Sequence, residues 1–243
     1  MAVPATIDTI SPTGGRWRVD HWFYVSAAVF VIVLHVAGFG PSLLDQSMRN
    51  GQPSLLVIVH GAVAGAWLLL FLTQATLVAT GRTSIHRRLG AIAPALTVVM
   101  VVLIFQTTIE MMRRGYDLSG DVLRPAAAAP GAPVPSVAEV DGGLNGFVSA
   151  LNFGVLVAAG WWYRRRPEIH QRLMRPDLFG PASVAPFAAN LLLFAGGVHD
   201  KVTRGRIHPI SVWVPLALIA MMLIGFAVAP SAPWRQFSAW LAG

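Results

Sequence analysis

The side chains best suited to hold a metal or cofactor in this sequence are its seven histidines and a few nearby carboxylates. There is no cysteine. That excludes disulfides, thiolate metal sites, iron–sulfur clusters and covalently attached c-type haem. Any ligand set must therefore come from His, Asp, Glu, Asn, Gln, Met or backbone oxygen. Two histidines repeat a motif: RTSIHRRLG (82–90) and RRPEIHQRLM (165–174) share Ile-His-x-Arg-Leu, with His86 and His170 84 residues apart. Two histidines on opposed helices suit haem b, and Arg87, Arg88 and Arg172 would neutralise carboxylates such as haem propionates. The plainer reading is anchoring, with arginines snorkelling to lipid phosphates and histidine at the same depth.

A second group lies in or beside long apolar runs, where each polar side chain is costly and so a functional hypothesis. His35, His60, His199, Asp200 and His208 come from several segments and map to one half of the membrane. Three or four His/carboxylate ligands from different helices suit zinc, iron or copper, with Asp200 either a ligand or an orienting partner. Local pairing is the competing account. Glu110 has Arg113 and Arg114 at helical spacing, Asp200 has Arg204, and His208 precedes a proline.

The elements that must position these groups are apolar helices. Of 243 residues, 55% are hydrophobic and 12% charged, with a mean hydropathy of +0.60. A soluble domain carries about twice that charged fraction. The predicted fold is all-α, a single integral membrane domain over 1–243 with about six transmembrane helices near 22–44, 55–79, 89–112, 144–162, 178–198 and 212–229. The fifth is kinked by Pro181 and Pro186. Gly61 and Gly65 form a GxxxG pair that permits close helix packing, and His60, Trp67 and Gln74 recur every seven residues on one side. The connection 113–143 reads as a mobile outer loop, and the C-terminal SAPWRQFSAWLAG as a short interfacial helix. The first twenty residues lack the pattern of a cleaved signal, so the first span is expected to stay as an anchor.

The net charge of +7 does not point to nucleic acid, because the arginines cluster at the ends of apolar runs. With the N-terminus inside, Arg16, Arg18, Arg82, Arg87, Arg88, Arg164, Arg165, Arg166, Arg172, Arg175 and Arg235 share one side. Arg49, Arg113, Arg114, Arg124, Lys201, Arg204 and Arg206 share the other. The bias of 11 against 7 places both termini in the cytoplasm, in a multi-pass protein of the bacterial inner membrane.

In HGAVAGAWLLLFLTQATLVATGRTSIHRRLG, RRRPEIHQRLM and DKVTRGRIHPISVW the chain resembles an uncharacterised bacterial family of polytopic membrane proteins of about six spans. It is more loosely similar to six-helix transmembrane cytochromes b, whose layout implies one haem between His86 and His170. A second haem would need histidines on the second and fourth spans. His60 is present, but the fourth span offers Asn152 and no histidine.

Three functions follow as expectations. The first is a membrane-embedded, His-based redox or metal-binding protein carrying haem b or a His/carboxylate-bound metal. The second is a non-catalytic subunit that packs against other membrane subunits or binds membrane lipids. The third is a small-molecule transporter, hinted at by two similar helix pairs. No P-loop, dinucleotide fingerprint, HExxH or GxSxG pattern is present.

Overall fold

The computed structural model describes residues 14–45, 47, 52–114, 143–175 and 186–243. Among them the chain forms helices and no strand. The helices are α1 (Gly14–Leu44), α2 (Leu55–Ala79), α3 (Thr83–Gly90), α4 (Ala93–Arg114), α5 (Leu144–Trp162), α6 (Pro167–Leu173), α7 (Pro186–Arg204), α8 (Ile210–Val228) and α9 (Ala232–Ala242). Most of the connection read as mobile, and residues 178–185 of the fifth segment, lie outside the described residues.

Local sequence explains the boundaries. Ser54 caps α2, its hydroxyl accepting from the Val57 N–H at 3.3 Å, and Ser231 caps α9 in the same way. Gly81, at φ +74°, turns the chain between α2 and α3, a backbone conformation that costs glycine nothing. Pro167 opens α6, where its missing N–H is no loss.

The long helices pack in a closed ring in the order α1, α2, α4, α5, α8, α7 and back to α1. One core cluster joins Trp67 of α2, Met100 of α4, and Phe153 and Val157 of α5. Trp67 meets the Phe153 ring edge-on at 4.9 Å. A second cluster, Met112 and Phe147, is covered by Trp234 and Leu241 of α9. The C-terminal helix expected at an interface therefore exists, and it is packed on the ends of α4 and α5. Outside these clusters the surface is apolar, with Leu69, Val98, Val155 and Trp213 all well exposed.

Five described helices are long and apolar enough to cross a membrane: α1 (over His21–Pro41), α2, α4, α5 and α8. The fifth expected span overlaps α7, whose described residues are not among them, since His199, Asp200, Lys201 and Arg204 occupy its last turns. Arg172 and Asp200, assigned to opposite sides by sequence, are hydrogen-bonded to each other. The two residues therefore lie at the same end of the bundle. That end carries α3, α6 and the start of α8; α9 packs on the opposite end.

Candidate functional site

The end of the bundle formed by α3, α6 and the α7–α8 turn gathers most of the chemistry. The third span expected from 89 is split: His86 sits on the separate helix α3 and His170 on α6. Their rings approach to 6.2 Å between centroids, nearly perpendicular at 71°. The Nδ1–H of His170 donates to the Gly160 carbonyl at the end of α5, 2.8 Å away. That acceptor fixes the tautomer and leaves Nε2 with a lone pair.

His86 is held by Gln74, one of the residues lining the α2 face at sevenfold spacing. In the amide orientation that satisfies both of its atoms, Gln74 donates to the His86 carbonyl at 3.1 Å and to His86 Nδ1. Its oxygen accepts from Gly90 N at 2.8 Å. Sequence spacing pointed to Gln74 but not to this role. Burial pushes both imidazoles below the ordinary histidine range, and for His86 the neighbouring His170 and Arg87 act in the same sense. Arg87 is exposed beside the pair.

The expected role of Arg172 as a cofactor counter-charge does not fit the geometry. It is 2% exposed and makes a bidentate pair with Asp200, itself 1% exposed, at 3.0 Å (Nε) and 2.6 Å (Nη2). Its remaining nitrogen donates to the Glu168 carbonyl. Asp200 also accepts from Arg204 at 2.9 Å, Ser211 Oγ at 2.6 Å and His208 N at 3.4 Å. Two buried unlike charges with this many hydrogen bonds satisfy what burial demands. No lone pair of Asp200 is left for a metal.

The rest of the His/Asp group expected in one half of the membrane is split, with His199 and His208 beside Asp200 and His35 and His60 farther along their helices. His199 stacks on Phe23 of α1, centroids 4.0 Å apart and planes within 10°. His208 Nδ1 accepts from Ile210 N at 3.2 Å, at the start of α8. His35 Nδ1 bonds the Val31 carbonyl one turn back at 2.8 Å. His60 has a buried Nδ1 without a hydrogen-bond partner among the described residues. It sits 19 residues before the end of α2, so about 28 Å of helix separates it from the end that holds His208. Among the described residues no group of three or more His, Asp or Glu is placed to hold a metal ion. Glu110 does pair with Arg114, at 3.5 Å.

Glycines report the same contrast between expectation and packing. A Cβ at Gly61 or Gly65 would have nothing within 4 Å, so their close-packing surface is not used among the described residues. Close approach occurs instead at Gly146, where a Cβ would overlap Thr108, and at Gly196, where it would overlap the Arg175 guanidinium.

Comparison with family models, curated proteins and solved structures finds no match.

Proposed function

We propose that the chain is a multi-pass membrane protein in which His86 and His170 hold a haem b or a single metal ion for redox chemistry. One observation carries this reading. The two histidines of the repeated motif, on separate short helices, come within 6.2 Å. That is about the centroid separation of two imidazoles that ligate one metal through Nε2 at roughly 2.0–2.1 Å. The donor chemistry fits at His170, whose Nδ1–H is anchored on a carbonyl as in most metal-bound histidines. At His86 it fits after one adjustment. With the Gln74 amide reversed, its oxygen accepts from Nδ1–H and frees Nε2 to ligate, at the cost of the amide's hydrogen bonds to the His86 carbonyl and Gly90 N. Exposed Arg87 is the counter-charge for a cofactor carboxylate. Bound there, a haem would supply one-electron transfer. The protein's own part is to orient the two rings and keep them neutral.

The test is a purified sample in detergent with its reduced spectrum and metal content. The expected result is a b-type spectrum, or one metal in fixed ratio, lost in both His86→Ala and His170→Ala. A wild-type protein free of haem and metal after expression with ample supply overturns the reading, as does a signal that survives both changes.

The same reading gives the topology. With five crossings the termini lie on opposite sides of a bacterial inner membrane. Arg16, Arg18, Arg82, Arg87, Arg88, Arg164, Arg165, Arg166, Arg172, Arg175, Lys201, Arg204 and Arg206 then share the cytoplasmic end. Only Arg113, Arg114 and Arg235 of the described residues face the other way. Thirteen against three is a stronger bias than the sequence count, as the positive-inside rule favours.

A second reading, a non-catalytic membrane subunit, is favoured by the open Gly61 and Gly65 face of α2, a surface shaped to receive another helix.

A further inference from the structure

We propose that the cavity between α6 and the α7–α8 turn is a binding site for a phosphate group. It is an open cavity of about 510 Å³ lined by Glu168, Arg172, Arg204, Arg206 and His208, with Ile207 and Pro209 as its apolar part. This site is distinct from the histidine pair and does not depend on it.

The charge balance favours an anion. Arg172 and Arg204 share the single negative charge of Asp200, and that carboxylate is buried among its own hydrogen bonds. The two arginines and Asp200 therefore keep one net positive charge, Arg206 adds a second, and Glu168 offsets one, so the site is left with one net positive charge. Arg206 is exposed and makes no hydrogen bond or ion pair among the described residues. His208 accepts at Nδ1 from Ile210 N, so its Nε2–H is a donor. Asp200 also holds the arginines in place before a ligand arrives, which lowers the ordering cost of binding. Phosphate suits this set because several guanidinium donors can share its oxygens.

Glu168 is the opposing element. Its carboxylate lines the same cavity and weakens binding of a simple anion. The two groups therefore give variants of opposite sign. The shared chemistry is a phosphate, and its source is either a lipid headgroup at the membrane surface or free phosphate.

Lipid-stripped full-length protein in a sugar-headed detergent is titrated with inorganic phosphate by calorimetry. Phosphatidylglycerol is added separately in mixed micelles, with bound lipid counted by native mass spectrometry. At least one probe is expected to bind once per chain. Arg206→Gln should weaken it about tenfold, the loss of one charge-assisted contact, and Glu168→Gln should tighten it. Binding of phosphatidylglycerol alone identifies a lipid site; binding of both probes identifies a site for free phosphate as well. The proposal is overturned if neither probe binds, if Arg206→Gln binds like wild type, or if both variants weaken binding alike.

Discussion

The histidine pair and the Arg172–Asp200 cluster occupy the same end of the bundle, both built on α6, yet they are finished to different degrees. Asp200 has its acceptor sites filled by two arginines, a serine and a backbone N–H. The imidazoles each have Nδ1 tied down and Nε2 without a hydrogen bond among the described residues. Burial explains the difference. A charge with almost no exposure must be matched in full or the fold loses several kcal/mol. A half-buried neutral ring tolerates an unused nitrogen, and an unused nitrogen is what a ligand needs. The first region locks α6, α7 and α8 together, whereas the second keeps chemistry in reserve.

The largest effect expected is all-or-none, since both regions can share one end only if the chain makes no net crossing between Arg172 and Asp200. Reporter fusions after Arg166 and after Gly205 should give the same cytoplasmic signal, and a fusion at Gly243 the periplasmic one. Opposite signals at Arg166 and Gly205 would break the comparison at its base. Next in size is Asp200→Ala, which strands the buried Arg172 charge. It should cost about 3–5 kcal/mol, read as a large drop in unfolding temperature by circular dichroism in detergent. A drop no greater than that of an exposed-surface change would mean the cluster is not a lock.

The smallest effect belongs to the histidines. His170→Gln removes one hydrogen bond and should cost only about 0.5–1.5 kcal/mol. It should also change the pH profile. Because folding holds His170 and His86 below the ordinary value, the unfolded chain binds more protons between the folded value and about 6.5. Stability from this source is thus constant above about pH 6.5 and falls as pH drops through that window. His170→Gln should flatten the fall. An unchanged profile would place the acid sensitivity elsewhere.

How much of this was legible in the sequence varies by scale. Runs of apolar residues located α2 and α5 with the bounds observed, because a membrane-length helix needs only composition and length. The repeated Ile-His-x-Arg-Leu singled out His86 and His170, and the shared pattern lies on two short helices. What spacing alone could not carry was sidedness. Assigning ends by counting crossings propagates a single error, and counting a net crossing between Arg172 and Asp200 separated Lys201, Arg204 and Arg206 from Arg172 and put Arg235 beside it, the reverse of the described contacts.

The sequence by itself determined a helical, membrane-compatible chain without thiol chemistry, with two histidines marked by repetition. Those properties follow from composition and local periodicity. Only the tertiary structure decided that Asp200 belongs to Arg172 instead of a metal, that Gln74 holds His86, and that Gly146 rather than Gly61 marks a close helix contact. Each depends on which distant segments meet, and a buried charge or a missing side chain takes its meaning from the neighbour across the interface.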